Sequence, residues 1–256
     1  MGMKQIFVMM ATVVLVGCSK DTLETSQAVE AEAQVTPAPT PEPESAPPAD
    51  EKLIADAIVE KAIRRSLKKP EGELTEADLE KVTVLDLDFT KTTNAGLKEV
   101  VKLQKLIELN LRSTKITDEG LNEVAKLKQL TYLSLSFTEI TDAGFKDMVK
   151  LQQLTMLDLE DTDITDAGLK ELAKLQRLEE LFLTSTQITD EGLKEVAKLQ
   201  NLEWLTLLNA KITNEGLKEV AKLQKLNVLN LFDTKVTEGG VAELKKALPD
   251  CLIEGP

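Results

Sequence analysis

From Val82 onward the chain repeats itself every 24 residues. Leu106, Leu130, Leu154, Leu178, Leu202 and Leu226 open successive copies, and Val82 opens an earlier one in the same register. Seven copies fill residues 82–247, each following L-x-x-L-x-L-x-x-T-x-I-T-D-x-G-L-K-E-V-A-K-L-x-x. No other feature restricts the fold as much. A unit this short cannot bury its own apolar side chains, so it must stack on its neighbours to build a continuous core.

Within a unit the L-x-L alternation predicts a short strand with one buried face. Those two leucines recur in every copy, from Leu85 and Leu87 to Leu229 and Leu231. Leu121, Val124, Ala125 and Leu127 have helical spacing and predict a helix with one inward stripe. Thr117 followed by Asp118 suits a helix start, a hydroxyl cap plus a carboxylate at the positive dipole end. A glycine recurs at Gly96, Gly120, Gly144, Gly168, Gly192, Gly216 and Gly240, where it would let successive first turns approach closely. Stacked, these units predict an α/β solenoid: a parallel sheet lines the inside of an arc and helices cover the outside.

The pattern resembles the leucine-rich repeat. Its I-T-D-x-G-L segment most resembles the cysteine-containing subclass, known from substrate-binding halves of ubiquitin-ligase adaptors. Threonine stands where that subclass has cysteine, at Thr90, Thr114, Thr138, Thr162, Thr186 and Thr234. The resemblance implies a right-handed βα horseshoe of seven repeats with a concave parallel sheet, convex helices and a binding role. No F-box precedes the repeats, so only the binding role carries over. The threonine column is expected to hydrogen-bond loop backbone groups much as an asparagine ladder does. The copy opening at Leu202 has Asn209-Ala210 instead, so the column should break there.

The ends differ from the array. Residues 1–17 read as a signal peptide, with Lys4 as the n-region and Ile6 to Val16 as an apolar run. That run falls short of the roughly 20 residues a spanning helix needs. Leu15-Val16-Gly17-Cys18 resembles the lipobox of bacterial lipoproteins, which implies cleavage before Cys18 and a lipid on its thiol. Ser19 follows the cysteine, which by the same resemblance favours the outer membrane over the inner one in a cell with both. Residues 18–50 carry Pro37, Pro39, Pro41, Pro43, Pro47 and Pro48 among polar residues and predict a disordered tether. Such a segment spans roughly 30 Å as a coil and up to about 100 Å when stretched.

Residues 51–81 predict a helical cap. Glu51 to Lys68 reads as an amphipathic helix with Leu53, Ile54, Ala57, Ile58, Ala62, Ile63 and Leu67 apolar. Thr75 with Asp78 then suits a capping box opening a second short helix. The arrangement is similar to N-terminal caps of secreted bacterial leucine-rich-repeat proteins. Lys61, Arg64, Arg65, Lys68 and Lys69 fit a solvated helix face, with anionic lipid headgroups as the alternative. At the other end, residues 248–256 are expected to form a cap in which Leu248, Cys251 and Ile253 cover the last repeat, with Cys251 a buried thiol and a reactive or pairing thiol as the alternative.

Composition narrows the function. A formal charge of −13 opposes nucleic acid, whose phosphates need a basic surface. The absence of histidine removes Ser-His-Asp and Cys-His chemistry and histidine-ligated metals. Two cysteines are too few for a disulfide framework or a zinc site. Asp158, Glu160, Asp161, Asp163 and Asp166 crowd together, but their spacing does not match an EF-hand loop. Acids occur on every strand, so no carboxylate pair singles out a glycosidase. The expectation is no catalytic site, no cofactor and no metal.

The repeats also supply an internal comparison. The helix segment K-E-V-A-K-L-Q barely changes, whereas the solvent-facing strand positions vary and collect Phe89, Tyr132, Phe137, Phe182, Trp204 and Phe232. Phe145 instead replaces a core leucine. Equal repeat positions stack into columns about 4.8 Å apart, which sets Tyr132 beside Met156 and Leu208 beside Phe232. Trp204 falls diagonally from Phe182. Asp86, Asp88, Glu108, Asp158, Glu160, Asp161, Glu179, Glu180, Glu203 and Asp233 surround these residues, with Arg112 the one cation on the strands. The candidate partner-binding set is Tyr132, Met156, Asp158, Glu160, Glu180, Phe182, Glu203, Trp204, Leu208 and Phe232. An acidic face with apolar islands points to a protein or peptide presenting Lys or Arg beside an apolar anchor. The expected protein is monomeric, lipid-anchored in the cell envelope and without nucleic acid. The alternative is an envelope structural or adhesion role toward glycan or a surface polymer.

Overall fold

Each L-x-L segment forms a three-residue strand: β1 (Val84–Asp86), β2 (Glu108–Asn110), β3 (Tyr132–Ser134), β4 (Met156–Asp158), β5 (Glu180–Phe182), β6 (Trp204–Thr206) and β7 (Val228–Asn230). The structure, a computed structural model, describes residues 52–256. The signal-peptide, Cys18 lipobox and proline-tether readings lie outside the described residues. An eighth strand, β8 (Leu252–Glu254), comes from the C-terminal cap, which therefore covers the last repeat by extending its sheet. The strands lie in chain order, all parallel, with Leu85 against Leu109 and so on to Leu229 against Ile253. A constant period makes a constant register.

Helices pack behind the sheet. The cap supplies α1 (Ala57–Leu67) and α2 (Glu76–Leu79), and the copies supply α3 (Asn94–Val100), α4 (Asp118–Val124), α5 (Phe145–Met148), α6 (Asp166–Leu172), α7 (Asp190–Val196), α8 (Asn214–Val220) and α9 (Glu238–Ala247). Before α5 the first turn is 3-10, Asp142–Gly144, where the larger Phe145 takes the leucine site and is fully buried. Leu109, Leu111, Leu133, Leu135 and their equivalents are fully buried and join the inward helix residues in one continuous aliphatic core. Each such leucine contributes about 1.5–3 kcal/mol relative to exposure, so the array is stabilised by copies of one contact set. Among the described residues no helix is long and apolar enough to cross a membrane.

The first cap helix starts later than the sequence suggests. Asp56 accepts the N–H groups of Ile58 (2.8 Å) and Val59 (3.0 Å), so the helix begins at Ala57, and Leu53 and Ile54 precede it. Its inward stripe is Val59, Ala62 and Ile63. The capping box forms as expected at α2, with Thr75 and Asp78 bonded reciprocally. Asp78 also binds Lys69 at 2.7 Å, and that ammonium, with the Thr75 backbone N–H, holds its carboxyl well below the usual range.

The threonine column closes turns within copies. Thr114 donates to the Leu111 carbonyl at 2.6 Å, and Thr162, Thr186 and Thr234 donate to Leu159, Leu183 and Leu231 at 2.7 Å. The hydroxyls thus bond loop backbone groups as expected, each bond spanning three residues within its own copy. At Ala210, which has no hydroxyl, the backbone N–H alone reaches Leu207 at 3.0 Å.

The ladder between copies lies at the helix starts. Asp118 accepts the Thr141 backbone N–H (2.9 Å) and the Thr141 hydroxyl (2.7 Å), one oxygen for each. Asp142 does the same for Thr165, Asp166 for Thr189, and Asp190 for Thr213. At the first and last rungs asparagine replaces aspartate: Asn94 and Asn214 each accept a threonine N–H at 3.0 Å and donate Nδ2 to its hydroxyl. The carboxylate that the sequence assigned to its own helix dipole is thus tied to the next helix start as well. This rung explains the invariant glycine. A Cβ on Gly168 would lie 2.6 Å from Asp142 Oδ1, and one on Gly120 would lie 2.5 Å from Asn94 Oδ1.

Candidate binding face

The pleat turns every second strand residue away from the core. Three columns result. The first runs Val84, Glu108, Tyr132, Met156, Glu180, Trp204, Val228 and Leu252, and the second Asp86, Asn110, Ser134, Asp158, Phe182, Thr206, Asn230 and Glu254. The third follows the strand ends: Asp88, Arg112, Ser136, Glu160, Thr184, Leu208 and Phe232. Tyr132 pairs with Met156 and Glu180 with Trp204. Glu203 sits one residue before its strand and is exposed, at the edge of this set.

The aromatics fall into two groups. Phe182 and Trp204 meet as expected, with ring centroids 6.2 Å apart and planes tilted by 37°. Trp204 is 41% and Phe232 48% exposed, whereas Tyr132, Met156, Phe182 and Leu208 are half-buried. Large apolar side chains with this exposure, held on the strands (Tyr132, Met156, Phe182 and Trp204) or just beyond them (Leu208 and Phe232), are typical anchors for a partner. Phe89 and Phe137 do not lie on strands. They sit in the following turns at φ 51° and 56°, and Arg112 lies between them.

The carboxylates are anchored unequally. Asp158 accepts the Ser134 hydroxyl at 2.9 Å and the Glu160 N–H at 3.0 Å, so part of its capacity shapes the turn. Asp86, Asn110 and Asn230 make the same turn contact to Asp88, Arg112 and Phe232. The buried Ser134–Ser136 pair, which alternation alone did not mark, backs this region. Burial, and then Asp158, Glu108, Asp86 and Asp88, push the Tyr132 hydroxyl above its ordinary range. Burial and Asp86 push the Asp88 carboxyl up as well, against the opposing pull of Arg112. The field over this half of the sheet favours a cation.

By contrast, the helix surfaces repeat one exposed pair three residues apart, as in Lys126–Glu123, Lys198–Glu195 and Lys222–Glu219. Such pairs contribute little and distinguish no partner. A cavity of about 630 Å³ lies in the N-terminal cap, lined by Lys52, Ile54, Glu60, Arg64, Leu74 and Thr75 among others. The sheet columns present an extended surface, which suits a macromolecular partner better than a small molecule.

Comparison with known proteins agrees with this architecture. Residues 75–254 match the family model described as a leucine-rich repeat region. Among solved structures, the crystal structure of an internalin C2 from Listeria monocytogenes is similar, at 30% identity and a TM-score of 0.64. The match covers 78% of this chain and 83% of that one. No curated protein matches the chain.

Proposed function

We propose that this chain, which belongs to the leucine-rich-repeat family, binds a protein or peptide partner through the acidic, aromatic-bearing face of its sheet. The observation that carries this reading is the concentration of variation. Helix surfaces are near-copies, whereas the sheet columns hold the exposed Trp204 and Phe232, the Phe182–Trp204 pair and the carboxylates around Tyr132. The partner offers Lys or Arg beside an apolar side chain, steered by charge and held by the aromatics. Family membership supports a binding scaffold rather than an enzyme. In this reading Cys18 carries a lipid that anchors the protein in the cell envelope, and residues 18–50 present the sheet to its partner.

Crosslinking in native membranes, followed by mass spectrometry, tests the proposal. One protein should be enriched by the wild type and lost with the Trp204→Ala, Phe232→Ala double variant, at correctly folded and equal levels. Two anchors of this kind account for a loss of about a hundredfold in affinity. Full retention of the partner by the double variant refutes the face. Enrichment of glycan or surface polymer without protein redirects the reading to adhesion. Cys18→Ser should release the chain from the membrane fraction with its folded part unchanged.

A further inference from the structure

The residue after each strand turn adopts a left-handed backbone: Phe89, Ser113, Phe137, Asp161, Ser185, Asn209 and Asp233 have φ between 51° and 57°. Short polar side chains tolerate this region, and most copies use Ser, Asp or Asn there. A phenylalanine is strained in it. Phe89 and Phe137 are also 74% and 40% exposed, so core packing does not explain them. What they share is the residue between them. The Arg112 guanidinium carbon lies 4.4 Å from the Phe137 ring centroid and 6.0 Å from that of Phe89. Backbone strain and apolar exposure thus converge on holding one guanidinium, and stored strain of this kind accompanies function.

With rings flanking it, the guanidinium keeps its edge open. Nη1 reaches Ser136 Oγ at 3.4 Å and Glu160 Oε2 at 3.6 Å, both long contacts. Among the described residues Nε and Nη2 have no side-chain partner, and the side chain is 33% exposed. A planar fork with free donors is the group that takes a carboxylate through two parallel bonds.

Resting on the reading of this face as a peptide-binding surface, we propose that Arg112, clamped by Phe89 and Phe137, receives a carboxylate of the partner, so that the recognised segment pairs Asp, Glu or a chain terminus with a nearby Lys or Arg. The surroundings require the pairing. Asp88 and Glu160 lie about Arg112, so a lone anion or a phosphate dianion meets repulsion there. For a carboxylate that arrives with its own cation, the cation's attraction to the same acids offsets that repulsion. The Glu160 carboxylate beside Arg112, 34% exposed, is open to that cation.

Selection of short random peptides on the full chain in detergent tests this. Wild-type chain should enrich peptides that hold a carboxylate beside Lys or Arg. Arg112→Gln should enrich the cation without the carboxylate, and should bind the best wild-type peptide about tenfold more weakly. Arg112→Lys should not restore it, because an ammonium lacks the fork. The Phe89→Asn, Phe137→Asn double variant should raise the thermal midpoint while weakening the same peptide, an opposition that a merely structural role does not produce. Wild-type peptides rich in cations but not in carboxylates, or undiminished binding by Arg112→Gln, overturn this inference and leave the binding face standing. Peptides without any Lys or Arg overturn both.

Discussion

Gly168→Ala sets helix propensity against the ladder, and the two give opposite signs. Inside a helix alanine is favoured over glycine by roughly 1 kcal/mol. At this site the new Cβ would lie 2.6 Å from Asp142 Oδ1, about 1 Å inside ordinary contact. That oxygen accepts the N–H groups of Thr165 (2.8 Å) and Gly168 (3.0 Å), while Oδ2 accepts the Thr165 hydroxyl at 2.6 Å. Displacing the carboxylate breaks two or three charge-assisted bonds worth about 1.5–3 kcal/mol each, partly replaced by water because Asp142 is only half-buried. After the propensity gain, a net destabilisation of about 2–4 kcal/mol remains. In a domain of this size that lowers the thermal midpoint by roughly 5–15 °C, measured by circular dichroism on the full chain. Asp142→Ala removes the obstacle, so adding Gly168→Ala to it should cost little, with a coupling of at least about 1 kcal/mol. Gly239 is the control: its nearest neighbour is Thr237 Oγ1 at 3.7 Å, so Gly239→Ala should stabilise by about 0.5–1 kcal/mol. A Gly168→Ala midpoint equal to or above wild type, or additive behaviour with Asp142→Ala, refutes the reasoning.

Three further outcomes follow from groups elsewhere in the fold. Lys69 and the Thr75 N–H depress the Asp78 carboxyl, so its stabilisation is present above the ordinary carboxylate range and lost as pH falls through the depressed value. Asp78→Asn should therefore lower the midpoint at pH 7 and converge with wild type in acid. Asp88 has the opposite sign: its raised carboxyl favours the folded state at low pH, and that advantage is lost as pH rises through the raised value. Asp88→Asn should then raise the midpoint at pH 7, with the gap closing in acid, and a gap independent of pH contradicts this. Burial pushes the Cys251 thiol up and shields it, so iodoacetamide at pH 8 should label it only after urea unfolding.

The strands were legible because L-x-L recurs in phase, and a fixed period leaves one register open to the sheet. Phe145 in the core, Cys251 under the cap and the Phe182–Trp204 diagonal followed from the same register. The ladder was misread because its two ends lie 23 residues apart, where no local rule of helix capping looks. A signal was nonetheless present. Position 13 of the repeat is Asp or Asn in the first six copies, each followed 23 residues later by threonine, and becomes Glu238 in the seventh. Alternation places Phe89 and Phe137 on strands because it does not reveal where a three-residue strand ends and a left-handed turn begins. Their clamp on Arg112 depends on that turn geometry, so it became visible only with the fold.

Each rung joins an acceptor in one copy to a donor in the next, and every interior rung uses the same pair of residue types. A crossover that deletes residues 130–153 would therefore bring Asp118 to Thr165, and a duplication would insert a new Asp–Thr link, without leaving a mismatched joint. The ends, closed by asparagine and by their own caps, need not change. Unequal recombination between near-identical copies thus alters how long the recognition surface is while the rules of assembly stay fixed. Such a lineage can explore partners by length as well as by point substitution.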